Sequence, residues 1–233
     1  MGQMQQSTGS FSATLRLTIG ELAIVHPISV PSASVPATDI VPALQGLVNA
    51  VVTAAETGEA ISCRKGCGAC CRQVVPISRT EGERLLQLLD AMPTERRTAI
   101  EQRFSEAEAR LVAAGVDEPA GRTDREFSVA YFAQRIACPF LEEESCSIHA
   151  ERPLVCREYL VTSPAELCAG PVQAGVTPLA VPKLSQAAHR LQDDGDGWFP
   201  LAMLMAWSRH RHTGPTRRPG PEWLKRFVGR LGK

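Results

Sequence analysis

Four of the chain's eight cysteines fall within nine residues, as Cys63-Arg-Lys-Gly-Cys67-Gly-Ala-Cys70-Cys71. Core packing does not call for such density, whereas thiolates at this spacing can grip a soft metal ion or an iron–sulfur cluster. Cys67-x2-Cys70 lets one tight turn present two sulfurs to one centre, and Gly66 and Gly68 leave the backbone free to bend. Cys63 supplies a third candidate ligand. Cys71 directly follows Cys70, so the two side chains are expected to point apart: Cys71 either ligates a second centre or takes an unusual fourth position.

The remaining thiols, Cys138, Cys146, Cys156 and Cys168, lie about seventy residues downstream in steps of eight, ten and twelve. They contain no tight pair, which suits a cage wrapped around a centre better than a zinc ribbon. One tetrahedral ion or one four-iron cluster takes four protein ligands. Eight cysteines are therefore two sites, or one site with bystanders, and ligand softness admits zinc and iron–sulfur alike. Arg152 and Arg157 flank Cys156. A guanidinium beside thiolates lowers their pKa and offsets their charge, so both arginines are candidates for cofactor binding as well as for stabilising the local helix.

In this order the motifs resemble the YkgJ-type cysteine-cluster family of zinc- or iron-chelating proteins, which includes flagellin lysine N-methylases. The resemblance rests on C-G-x-C-C at Cys67 to Cys71, Cys138-Pro-Phe-Leu, Cys146-Ser-Ile and Arg152-Pro-x-x-Cys156-Arg157, and covers residues 63–168. It implies that Cys168 is the further cysteine that follows the arginine motif. Two departures stand out. Cys63 precedes Cys67 by three intervening residues where many members have two, and His149 stands where Tyr is usual; a solvent-facing His is expected there rather than a ligand. Cys63-x3-Cys67-x2-Cys70 is also the spacing with which radical S-adenosylmethionine enzymes bind a cluster with one open iron. Ala69 in place of an aromatic residue, and the lack of repeated strand–helix units, set that fold aside.

These thiols need a scaffold. At 233 residues with 25 basic and 25 acidic side chains, the chain can build one sizeable core. Its first twenty residues alternate polar and apolar types without the basic and then apolar run of a signal peptide. The expectation is a cytoplasmic protein whose thiols stay reduced rather than paired as disulfides. The longest apolar run, Trp198 to Trp207, is about half of the ~20 residues that a membrane span needs, so no membrane association is expected.

Alternation at Phe11, Ala13, Leu15, Leu17 and Ile19, followed by Leu22 to Val25, predicts a β-hairpin. Pro27, Pro31 and Pro36 then read as a linker, and Asp39 as the cap of a helix through Val41, Leu44, Val48 and Val52 that ends near Gly58. Ser78-x-x-Glu81 is a capping box. Beyond Pro93, Ile100, Phe104, Ala107 and Leu111 mark the buried face of a second helix. A short irregular hairpin should join Cys138 to Cys146, and Pro153 should open the helix that carries Cys156. Further helices are expected over 182–191 and 199–209. Arg209, Arg211, Arg217, Arg218, Lys225, Arg226, Arg230 and Lys233 face a single acid, Glu222, in a tail read as solvated, although Trp223, Leu224 and Phe227 have amphipathic spacing. The Asp193–Asp196 run resembles a calcium loop but lacks the downstream glutamate.

The sequence thus predicts a mainly α fold with a short N-terminal β-hairpin around a small metal-organised cysteine-cluster domain. Residues 1–35 would form hairpin and linker, 36–175 the metal-binding domain, and 176–233 C-terminal helices and a basic tail. The expected function is binding of an iron–sulfur cluster or zinc, with a metal ion or cluster as partner and room for a protein partner. Nucleic acid is not expected, because prolines interrupt the basic tail and no aromatic residues interleave with its arginines. The alternative is an N-methyltransferase-like enzyme that uses an iron–sulfur cluster on a protein or peptide. No dinucleotide-binding, phosphate-loop or serine-nucleophile motif is present.

Overall fold

A computed structural model describes residues 9–56, 58, 60–119, 121–170, 175–192, 197–210, 214 and 216–231. In chain order the elements are β1 (Ser10–Ile19), β2 (Leu22–Pro31), β3 (Ser34–Pro36), α1 (Val41–Ala55), β4 (Pro76–Ser78), α2 (Arg79–Asp90), α3 (Thr94–Ala113), α4 (Asp124–Ala133), β5 (Leu141–Glu142), β6 (Ser145–Cys146), α5 (Leu154–Glu158), α6 (Ser185–His189), β7 (Trp198–Pro200), α7 (Leu204–His210), β8 (Arg217–Pro219) and α8 (Gly220–Val228). The fold is mostly helical, with four small two-stranded antiparallel pairs among the described residues.

The predicted hairpin is present and longer than its sequence signal. β1 and β2 pair from Ile19↔Leu22 to Ser10↔Pro31, so Pro27 and Pro31 lie inside β2 rather than in a linker. A two-stranded sheet has an open edge on each strand, where a proline's missing N–H removes no ladder bond. Pro36 likewise ends β3, which pairs with β8. Asp39 does not cap α1. A 3-10 turn, Ala37–Ile40, precedes the helix, Ile40 occupies the cap position, and Pro42 pre-sets the first turn.

Helix α1 presents Leu44, Leu47, Val48 and Val51 to a core that also contains Ile24 and Ile28 of β2, Leu154 of α5, Leu184, and Trp223 and Phe227 of α8. Residues 37–55 are apolar and long enough to cross a bilayer, but their buried face packs against β2 and α5 as in a core helix. A second core joins Leu85 and Leu89 of α2 to Ile100 and Phe104 of α3 and to Phe140 beside the second cysteine group. The capping box of α2 is complete, and α3 buries the four residues its periodicity marked. Helix α4, which the sequence reading passed over, begins with its own capping box at Thr123 and Glu126 and contributes Phe127 and Tyr131 to a third core.

The basic tail is not solvated over its described part. Trp223 and Phe227 are fully buried and Leu224 nearly so. The Trp223 indole donates to the Val35 carbonyl at 2.9 Å, while Arg218 and Arg226 lie over its ring. Apolar burial of two large aromatics outweighs the surrounding charge, because the arginines set their guanidinium heads over the indole face as cation–π partners. Gly220 permits the contact: a β-carbon there would run into the Pro31 carbonyl and Val30. The predicted helices at 182–191 and 199–209 are present in shorter form, as α6 and as a 3-10 turn, Leu201–Met203, leading into α7. The Asp193–Asp196 run lies outside the described residues.

Candidate metal centre

Cys63 leaves α1 and is fixed against residues 160–162. Ser62 donates its backbone N–H to Val161 O at 2.9 Å, and the Val161 N–H returns to Cys63 Sγ at 3.4 Å. A turn with Gly66 at φ +90° then reverses the chain, closed by Cys67 N–H to Arg64 O at 3.1 Å. Gly66 therefore occupies a left-handed conformation that favours glycine. Cys70 and Cys71 sit in a 3-10 turn, Ala69–Arg72, that buries none of its own residues.

Gly68 has a different role from the one its sequence position predicts. Its φ of −97° suits any residue. A β-carbon there would lie 2.7 Å from both Glu144 O and Leu141 Cδ1. The glycine is needed for close approach of the two cysteine-bearing segments. Around this contact Cys138 N–H donates to Cys71 O at 2.7 Å, and Arg72 forms a two-pronged pair with Glu144 at 2.9 and 2.6 Å. The β5–β6 turn is the predicted hairpin, with Glu143 and Glu144 both at positive φ. Arg103 of α3 holds it from the other side through Leu141 O at 3.1 Å and Glu142 at 2.8 Å.

Helix α5 carries Cys156, and its start is fastened by a buried carboxylate. Glu81 accepts from Ser78 N–H at 3.0 Å within its own cap and from Leu154 N–H at 2.8 Å at the mouth of α5. One side chain thus closes two helix N-termini, a link for which the capping-box spacing gives no signal. Burial pushes the Glu81 carboxyl upward, against those bonds. Helix α1 braces the preceding turn through Gln45, which donates to Glu151 O and Arg152 O at 3.3 Å each.

Cys63, Cys67, Cys70, Cys71, Cys138, Cys146 and Cys156 all line one cavity of about 650 Å³. Both sequence groups therefore meet. Cys168 is buried but is not on that wall. Its carbonyl accepts from Gln73 at 3.0 Å, and the buried Tyr159 hydroxyl faces its sulfur. All eight cysteines are free thiols. Among the described residues, no group of three or more His, Cys, Asp or Glu side chains forms a ready ion site. The thiols share a cavity without closing on one point.

As thiols they sit in surroundings hostile to charge. Burial pushes Cys138 up to about 12 and Cys156 well above its ordinary value. Cys70 is raised by the Cys71 thiol against it and then by burial. That contact corrects the expectation that the adjacent pair would point apart: the 3-10 turn keeps both sulfurs on the cavity. Cys63, Cys146 and Cys168 are also raised, each chiefly by burial. A cation that displaces the thiol protons relieves this penalty, and soft donors select zinc or iron among the common metals. The donor set fits such a metal.

The two arginines separate by role. Arg157 is committed to the scaffold: its guanidinium donates to Arg152 O at 3.0 Å, to Asn49 of α1 at 3.2 Å and to Ala150 O. Arg152 faces the thiols, and its charge favours the ionised forms of Cys63, Cys70, Cys146 and Cys156. It also donates to His149 Nε2 at 2.5 Å. His149 lines the cavity and stays partly exposed; burial and the charges of Arg152, Arg157 and Lys65 lower its pKa.

Residues 62–169 match the family model CxxCxxCC, described as a "putative zinc- or iron-chelating domain". No curated protein and no solved structure matches the chain.

Proposed function

We propose, from the match of residues 62–169 to the model of a zinc- or iron-chelating domain, that the cavity thiols hold a polynuclear, iron–sulfur centre in preference to a single zinc ion. Metal binding through cysteines is the shared premise; the identity of the centre is the reading added here. The observation that carries it is the convergence of seven thiols from both groups on one cavity, more than a single tetrahedral ion takes. One zinc uses four ligands in a closed tetrahedron. A cluster spans more of the cavity and reaches separated walls with less movement of the backbone. Cys67, Cys70, Cys146 and Cys156 are its principal ligands, and Arg152 offsets its charge. The surroundings are a reducing, cytoplasmic compartment, which keeps the thiols available.

Anaerobic purification followed by iron, sulfide and zinc analysis tests this. Iron and acid-labile sulfide with broad visible absorption support the proposal; colourless protein with stoichiometric zinc overturns the choice of cluster and leaves metal binding intact. A second reading, modification of a protein or peptide by methyl transfer, is favoured by one observation: the cavity has non-thiol wall to spare beside the centre.

A further inference from the structure

The cavity has more wall than a metal centre occupies. Its volume of about 650 Å³ falls within the ~300–1,000 Å³ of small-molecule sites. Part of the lining is apolar, including Val52, Val75 and Leu201. Another part is cationic: Arg64, Lys65, Arg152 and Arg157 line it against one carboxylate, Glu56. A zinc ion or four-iron core held by four thiolates keeps a net charge of about −2, so the four cations, less Glu56 and the centre, leave roughly one positive charge over.

The cations are not equivalent. Arg157 is spent on the Arg152 carbonyl, Asn49 and the Ala150 carbonyl. Arg152 is half-spent: one terminal nitrogen meets His149, while its Nε–H is buried without a hydrogen-bond partner. A buried donor left unpaired carries a desolvation cost, which an incoming acceptor recovers. Lys65 lines the same cavity, and its charge acts on the His149 ring alongside that of Arg152. His149 Nε2 is occupied by Arg152, and Glu56 is the one carboxylate among the residues that line the cavity.

Resting on the reading of a thiol-held metal, we propose that this cavity binds a small organic carboxylate beside the centre, its charged end received by Arg152 and Lys65 and its carbon chain lying on the apolar wall. Arg152 then serves two acceptors, thiolate on one side and carboxylate on the other. An inorganic anion would satisfy the cations but leave the apolar wall unused.

Calorimetric titration of the metal-loaded protein with hexanoate, hexanamide and inorganic phosphate tests the assignment, with metal content measured on every sample. Hexanoate should bind, and hexanamide should bind about tenfold more weakly or worse, the loss of one charge-assisted contact. Lys65→Gln should weaken hexanoate by a similar factor with metal content unchanged, and Arg152→Gln should weaken it at least as much per metal-loaded molecule. Absent hexanoate binding at full metal content, equal binding of hexanamide, or phosphate binding as tightly as hexanoate would each overturn the carboxylate site while sparing the metal. If Arg152→Gln loses metal and Lys65→Gln leaves hexanoate affinity unchanged, Arg152 serves the centre alone and the assignment fails. A wild-type preparation that takes up neither iron nor zinc overturns the metal reading itself, and this inference with it.

Discussion

The core around α1 and the wall of the cysteine cavity are built on opposite plans. The core closes by apolar burial: β2, α1, α5 and α8 bring large side chains to near-zero exposure, with Trp223 and Phe227 as its last wedge. The cavity wall has little of this. The turn that carries Cys70 and Cys71 buries none of its residues, and its order rests on backbone bonds, the Gly68 contact and surface ion pairs, which are individually weak. Metal coordination supplies there what apolar packing supplies in the core. The molecule therefore has one region that is complete without a ligand and one that is completed by it.

The largest expected effect falls on the cavity alone. Cys67→Ser and Cys156→Ser should each lose most of the bound metal by elemental analysis, while the far-ultraviolet spectrum keeps its helical signal. Full metal content in either variant would place the centre elsewhere. Trp223→Ala reverses the pattern. It should destabilise the fold by about 3–5 kcal/mol in denaturant unfolding, with normal metal content per folded molecule. Unchanged stability would show that α8 does not wedge the core.

Glu81→Gln tests the join between the two plans, because the same carboxylate serves α2 and the start of α5. An amide can accept only through one oxygen, so about 1–3 kcal/mol should be lost, together with a measurable part of the metal affinity. A purely global loss would make Glu81 a cap and nothing more. The smallest effect concerns acid. His189 is lowered by burial, and its Nε2 is buried without a partner. A group with a lowered folded pKa contributes stability above its unfolded value of about 6.5 that is lost as pH falls further. His189→Gln should flatten that acid-side decline in thermal scans; an identical pH profile would assign it to other groups.

Legibility in sequence follows the same division. Elements with local signals were readable: the capping box at Ser78, the buried stripe of α3, the alternation of β1 and the Pro153 start of α5 all depend on residues within a turn or two of one another. What failed was decided at long range. Nothing near Pro27 announces that Ser10–Ile19 will pair beside it, and the charge around Trp223 conceals an indole whose partner, Val35, is 188 residues away. For the site, types and spacing marked all eight thiols, and seven of them share the cavity. The sequence could not distinguish Arg152 from Arg157, because their difference lies in what Asn49 and the 150–152 carbonyls already occupy. The cations that act on His149 come from two separate segments, and no local spacing announces them.

Gly68 changes how relatives of this chain should be judged. A glycine kept for flexibility can be replaced where the turn tolerates it; one kept for clearance cannot, and here the clearance is between the two halves of the ligand set. A descendant chain could retain every cysteine, pass any inspection of its ligands, and still have its halves wedged apart by a single methyl group. In this domain, inheritance of the chelating function is carried as much by a missing side chain as by the seven thiols that line the cavity.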